Sequence, residues 1–126
     1  MIYLHVGKPK TGTTTIQRSL VTNRIPLLKQ QVLYPQAGML HWGHHNIYYE
    51  LTKSPMYDPG LGSFDLLLQN LRNYKEKHPN GNIILSSETY SGAYIRVLER
   101  LVQPLEKIDQ VTICLLYTSP SPRDRG

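Results

Sequence analysis

The sequence predicts an α/β fold in which a parallel β-sheet is flanked by helices. Apolar runs at residues 2–6, 83–85 and 111–116 are typical of buried strands. Segments with helical spacing of apolar residues separate these runs, so strands and helices alternate along the chain, as they do around a parallel sheet. The length of 126 residues favours one domain, and the apolar content of 40% suits a globular protein.

Apolar periodicity places the helices. The clearest helix spans about residues 64–77, which carry a stripe of apolar residues at helical spacing, with Ser63 as a good N-cap. A first helix is expected over about residues 13–23, limited or kinked by Pro26. The remaining expected elements are a short strand at 32–34, a loop at 35–46, a short helix at 46–53, a loop at 54–62 and a helix from 94 to 101 or beyond.

A glycine-bounded loop joins the first predicted strand to the first predicted helix. Gly7 and Gly12 delimit this loop. Strand, glycine loop and helix form a layout that cradles phosphate, because loop N–H groups point at the anion and the helix N-terminus adds partial positive charge. The stretch therefore predicts that the chain binds a phosphorylated ligand. The plainer interpretation is a capped helix start after a turn, since threonine is a good N-cap.

The loop differs from that of nucleotide-hydrolysing proteins, which reads G-x-x-x-x-G-K-[ST]. The spacing between Gly7 and Gly12 agrees, but Thr13 occupies the lysine position and Lys10 lies inside the loop. In nucleotide-hydrolysing proteins that lysine serves the β- and γ-phosphates, and the residue after it holds magnesium. A chain without this pair is poorly suited to Mg-ATP.

The segment Lys8-Pro9-Lys10-Thr11-Gly12-Thr13-Thr14 is similar to the P-K-x-G-T-T loop of the PAPS-dependent sulfotransferases. The resemblance implies a P-loop NTPase-like fold, with 3′-phosphoadenosine 5′-phosphosulfate (PAPS) as the sulfate donor and no metal. It implies that Lys10 contacts the oxygen that bridges the phosphate and the sulfuryl group, while the residues after it hold phosphate oxygens. The cofactor-binding residues by this resemblance are Lys8, Pro9, Lys10, Thr11, Gly12, Thr13, Thr14 and Thr15.

Lys10 is the first expected catalytic residue. Sulfuryl transfer also needs a base that takes the acceptor proton, and the chain offers two candidates for this base. Glu88 follows the strand at 83–85, at the carboxyl edge where open α/β sheets bind ligands. Residues 86–90 resemble the strand-end glutamate segment of glycan sulfotransferases. Glu88 could instead cap the next helix or pair with a lysine. His44 and His45 together are the second candidate, because some sulfotransferases use a histidine base.

Histidines and a tryptophan cluster in the loop before the short helix. His41, Trp42, His44 and His45 could line an acceptor pocket. The adjacent pair His44 and His45 could equally cap the helix or be solvated. A zinc site is not expected, because the H-x2-H-H pattern lacks a convincing fourth ligand. His5, inside the first strand, is expected to be a packed histidine.

Charge and composition limit the partners. The net charge of +5 suits a polyanionic cofactor, but the basic residues are scattered and show no pattern typical of nucleic-acid binding. No apolar run approaches the roughly 20 residues that span a bilayer, and no leader precedes the first strand. Cys114 is the single cysteine, so no internal disulfide is possible. These features predict a cytoplasmic protein. Within the family that the loop resembles, they favour a bacterial type over the membrane-anchored Golgi type.

The last residues break the alternation of strands and helices. The resemblance implies an Arg soon after the last strand and a later Ser that bind the 3′-phosphate, and this order of Arg before Ser does not occur after the last strand here. We therefore expect residues 1–114 to be the N-terminal part of a sulfotransferase domain, and residues 115–126 to be a non-native or disordered tail. The predicted fold is thus incomplete in its C-terminal part.

The expected function is transfer of a sulfuryl group from PAPS to an acceptor hydroxyl. The strand-end glutamate segment favours a glycan as the acceptor. Two alternatives stay open: a P-loop nucleotide kinase or NTPase, and a non-catalytic fragment that binds a nucleotide or another anion.

Overall fold

The computed structural model describes residues 1–7, 13–87 and 95–116. Its strands are β1 (Ile2–Gly7), β2 (Val32–Leu33), β3 (Asn82–Ser87) and β4 (Val111–Leu116). Its helices are α1 (Thr13–Thr22), α2 (Arg24–Lys29), α3 (His45–Leu51), α4 (Phe64–Lys77) and α5 (Ile95–Glu106), and a 3-10 turn covers Pro59–Leu61. Of the expected tail, residues 115–126, residues 115 and 116 are the last two of β4, and residues 117–126 lie outside the described residues.

The sheet is parallel throughout the described part of the chain. Its strand order is β2-β3-β1-β4, so β1 is a central strand. Ile2 of β1 lies beside Ile83 of β3 and Val111 of β4, and both pairings continue along the length of β1. β2 contributes only two residues, which pair with the start of β3. The prediction of an α/β fold with a parallel sheet and flanking helices is confirmed.

Local sequence signals account for the best-predicted elements. Ser63 caps α4 as expected, because its Oγ accepts a hydrogen bond from Leu66 N at 3.2 Å. The stripe of α4 is buried, and its members are Phe64, Leu67, Leu68, Leu71 and Tyr74. Pro26 neither kinks nor ends α1; it lies in the first turn of the separate helix α2, where its missing N–H group is not needed.

The two faces of the sheet have different partners, since side chains alternate along each strand. Ile2, Leu4 and Val6 point to the face covered by α3, α4 and α5, where the apolar core forms. On the other face, His5 of β1 lies beside Ser86 of β3, and Gln17 of α1 contacts Ser86. The core and the polar cluster therefore occupy opposite faces of the same two strands.

The connections from β1 and β3 run in opposite directions. From β1 the chain passes through α1 and α2 to the β2 edge, whereas from β3 it passes through α5, on the other face, to the β4 edge. Neighbouring parallel strands whose connections diverge in this way leave a crevice at their carboxyl ends, and open α/β sheets bind ligands there. Residues 8–12 and 88–94 follow these two strand ends in the sequence.

Ion pairs fix the amino edge of the sheet. Asp109, just before β4, binds Lys75 Nζ and the amino group of Met1, each at 2.7 Å. The hydrogen bond from Lys75, followed by that from the amino group, holds the pKa of Asp109 well below its usual range. The two ion pairs in which both partners are described residues thus lie away from the carboxyl ends of β1 and β3.

Among the described helices, none has the length and apolar character needed to cross a bilayer.

Candidate functional site

The candidate site lies where β1 and β3 end. β1 ends at Gly7 and α1 begins at Thr13, so the strand and the helix expected around the glycine loop are both present. Thr13, Thr14 and Thr15 form the first turn of α1, and Thr15 is exposed. The other predicted site residues, Lys8, Pro9, Lys10, Thr11, Gly12 and Glu88, lie outside the described residues.

Ser86 links both strands to α1. Its Oγ lies 2.7 Å from His5 Nδ1 and accepts a hydrogen bond from Gln17 Nε2 at 2.9 Å. Ser86 and Gln17 are buried, and burial also lowers the pKa of His5. Hydrogen bonds in such a low-dielectric environment hold their geometry firmly. The cluster therefore fixes the two elements, β1 and α1, that the glycine loop connects.

Gln17 is a site residue that the apolar pattern of α1 does not reveal. That pattern begins at Ile16, yet Ile16 is 39% exposed whereas Gln17 is only 2% exposed. The amide of Gln17 can be buried because it donates a hydrogen bond to Ser86 Oγ on β3. The only sequence signal is a polar residue next to the apolar stripe, which by itself predicts nothing.

His44 completes the edge of β3 beyond the point where β2 ends. His44 N donates to Ser86 O at 2.6 Å, and Ser86 N donates to His44 Nδ1 at 3.0 Å. The ring proton is therefore on Nε2, which donates to Pro35 O at 2.8 Å. Burial lowers the pKa of His44 to about 4, so the ring is neutral near pH 7. These contacts make His44 a structural residue.

His45 lies against the end of β3. Its Nδ1 is 2.8 Å from Ser87 Oγ. Burial, with a smaller effect of His41, lowers the pKa of His45 to about 4, so the ring is neutral near pH 7 and can accept a proton. Since Glu88 follows Ser87 in the sequence, both predicted bases belong to the same strand end.

The interpretation of the two histidines as solvated is wrong, and so is the interpretation of His44 as a side-chain cap of the helix. Both side chains are buried rather than solvated. His44 occupies the N-cap position of α3, but its side chain makes no capping hydrogen bond to the helix. Its ring nitrogens are used by Ser86 and Pro35 instead.

The loop that carries Trp42 is anchored at the same strand end. Gly43 packs so closely that a Cβ atom there would lie 2.7 Å from Gln17 Nε2 and 2.9 Å from Ser86 O. Tyr34 Oη donates a hydrogen bond to Trp42 O at 2.6 Å. The backbone at Trp42 and Gly43 is therefore held next to Ser86 and Gln17.

No group of three or more His, Cys, Asp or Glu side chains in residues 1–7, 13–87 and 95–116 is arranged to hold a metal ion.

An open cavity of about 450 Å³ lies at the β2 edge, and its lining includes Arg24, Tyr74 and Lys77. No residue of the Ser86 cluster lines that cavity, so it does not coincide with the chemistry expected at the strand ends.

A scan against protein-family models gave no match for this chain, and searches of curated proteins and of solved structures gave none either. The choice of function therefore depends on the residues and geometry described above.

Proposed function

We propose that this chain is the donor-binding part of a PAPS-dependent sulfotransferase that sulfates a hydroxyl group of a glycan. One observation carries the proposal: the glycine loop with its displaced lysine follows the central strand of a parallel sheet, at a crevice where neighbouring connections diverge. A phosphate placed there lies near the N-terminus of α1, which favours an anion.

The proposed reaction is an in-line displacement at sulfur. The acceptor oxygen forms a bond to sulfur, the bond from sulfur to the bridging phosphate oxygen breaks, and 3′-phosphoadenosine 5′-phosphate (PAP) leaves. Negative charge develops on that phosphate oxygen, and Lys10 together with the first turn of α1 stabilises it. The lysine side chain supplies the compensating positive charge, so a bound metal ion is not needed for it.

The acceptor proton passes to a base at the end of β3, either Glu88 or His45. His45 is supported by its neutral ring and its contact with Ser87. Glu88 is supported by its position directly after the buried strand. The pH dependence of transfer in single variants of the two residues distinguishes them, because only the true base contributes the acid limb of the profile.

The Ser86 cluster supports catalysis by positioning. Gln17 and His5 bind the same hydroxyl, so β1, β3 and α1 keep their relative placement when a ligand enters. Preorganised N–H groups stabilise developing charge without reorganising during the reaction. The cluster contacts no reacting atom in this scheme.

Calorimetry with PAP, Mg-ATP and adenosine tests the proposal. PAP is expected to bind more tightly than Mg-ATP, and adenosine to bind least, because the site recognises phosphate. Lys10→Ala should weaken PAP binding at least about tenfold, which corresponds to about 1.4 kcal/mol. Lys29→Ala is the matched control, since Lys29 is an exposed lysine on α2. Preference for Mg-ATP, or equal PAP affinity in both variants, contradicts the proposal.

A further inference from the structure

Trp42 combines a fixed backbone with a partly exposed side chain. It is the single tryptophan of the chain, and 39% of its surface is exposed. Its backbone is fixed by the hydrogen bond from Tyr34 and by the tight packing of Gly43. A firmly held loop therefore presents an indole to solvent beside the end of β3. Rigid aromatic side chains lose little entropy when they bind a ligand.

Arg18 adds a cation to this surface. Its guanidinium carbon lies 4.9 Å from the centroid of the Trp42 ring. Arg18 is exposed and follows the buried Gln17 on α1, so it lies on the side of the cluster that faces solvent. The ion pairs found within the described residues all use Asp109, so none of these residues supplies a carboxylate to Arg18.

His41 is the third side chain of this surface. Its ring centroid lies 6.5 Å from that of Trp42, and it too is exposed. The left-handed backbone of His41, with φ of 61°, turns the loop at this point. The surface thus combines an apolar ring, a guanidinium and an imidazole, and the described side chains that form it include no acidic group.

We propose that Trp42 and Arg18 form an acceptor subsite for an acidic pyranose, a sugar ring that carries a carboxylate or sulfate. The C–H face of a pyranose can lie on the exposed part of the indole that the Arg18 guanidinium does not cover, which buries apolar area on both sides. The guanidinium offers two parallel N–H donors that match the oxygens of a carboxylate or sulfate. The inference depends on the proposed sulfotransferase function and adds the acceptor class to it.

The two residues should have separable effects. Trp42 contacts the sugar ring itself, so its replacement should weaken the binding of acidic and neutral sugars alike. Arg18 contacts only the charged substituent, so its loss should affect acidic sugars alone. Because Arg18 is exposed, its contribution should also decrease as added salt screens the charge.

Fluorescence of Trp42 reports on this surface directly, because no other tryptophan is present. We suggest titrating the chain with a hyaluronan tetrasaccharide, which contains glucuronate, and with chitotetraose, which is neutral and of similar size. Saturable quenching is expected with both sugars, with about tenfold tighter binding of the acidic one. Arg18→Gln should remove that preference. Arg72→Gln, at an exposed position on α4, is the matched control and should keep it.

Calorimetry with Trp42→Phe provides a second readout. The phenyl ring keeps an aromatic surface but a smaller one, so affinity for both sugars should fall by a similar factor. Equal affinity of the native chain for acidic and neutral sugars overturns the proposal, as does an equal loss in the Arg18 and Arg72 variants. Quenching by PAP that competes with the tetrasaccharide also overturns it, because Trp42 would then belong to the donor site.

Failure of this inference can be told apart from failure of the proposed function. PAP binding that depends on Lys10, without sugar-dependent quenching, leaves the donor site standing and removes the acceptor subsite. Sugar-dependent quenching without PAP binding removes the donor site and leaves the sugar site, which would then belong to a carbohydrate-binding protein.

Discussion

His44 should make the fold sensitive to acid. Its Nδ1 accepts a hydrogen bond from Ser86 N and its Nε2 donates one to Pro35 O. A second ring proton would have to bind Nδ1 and would break the hydrogen bond from Ser86 N. The pKa of His44 is lowered from 6.5 to about 4, chiefly by burial. The unfolded chain binds the proton at higher pH than the folded chain does. The contribution to stability is therefore complete above pH 6.5 and is lost as the pH falls toward 4.

The size of this loss of stability follows from the pKa of His44 in the unfolded chain, 6.5, and in the folded chain, about 4. In the pH range between these two pKa values, one histidine changes the free energy of unfolding by about 1.4 kcal/mol per pH unit. The native chain should therefore lose about 3 kcal/mol through His44 between pH 7 and pH 4. In a fold whose total stability is on the order of 5–15 kcal/mol, such a loss is readily measured.

Urea unfolding of the native chain and of His44→Asn, followed by circular dichroism, isolates this effect. The Asn carbonyl can still accept from Ser86 N, but it does not titrate. At pH 7 the variant should be less stable by about 1–3 kcal/mol, because it lacks the bond to Pro35. This difference should shrink or reverse by pH 4. A difference that stays constant from pH 7 to pH 4 refutes the assigned ring geometry.

Three further changes test the packing around the site. Gly43→Ala should destabilise the fold by about 1–3 kcal/mol in urea unfolding, since the added Cβ would lie 2.9 Å from Ser86 O. Gly60→Ala is the control and should have a much smaller effect, because the nearest atom to its added Cβ is 3.2 Å away on a flexible side chain. Asn46→Ala should cost about 2–4 kcal/mol in the same assay, because the buried amide makes three hydrogen bonds to the backbone of residues 58–62. Gln17→Met keeps the volume but removes one hydrogen bond to Ser86, so calorimetry should show weaker PAP binding by about fivefold, corresponding to about 1 kcal/mol.

Elements with strong local signals could be predicted closely. α4 runs from Phe64 to Lys77 as expected, because an N-cap and an apolar stripe specify both its start and its buried face. β4 also has its expected bounds, Val111–Leu116. α3 begins at His45 and ends at Leu51, slightly earlier at both ends than the expected 46–53. Helix ends vary in this way because few contacts fix the last residues.

The polar cluster could not be predicted, because each of its contacts joins segments that are distant in sequence. The role of His44 depends on β2 being only two residues long, so that no strand lies beside Ser86 on the β2 side, where its N and O are instead bonded by His44. Gln17 is buried only because Ser86 lies opposite it. No local pattern carries this information. The loop that contains Trp42 was expected to line an acceptor pocket, and that role stays a prediction.

The most direct test of the central claim is to locate the PAP site on the folded chain by NMR. Backbone amide signals of Gly7, Thr13, Ser86 and Ser87 should shift on titration with PAP, because these residues flank the ends of β1 and β3. The shifts should be lost in Lys10→Ala. Shifts confined to the cavity lined by Arg24 and Lys77 would contradict the claim, as would an unchanged response in the variant.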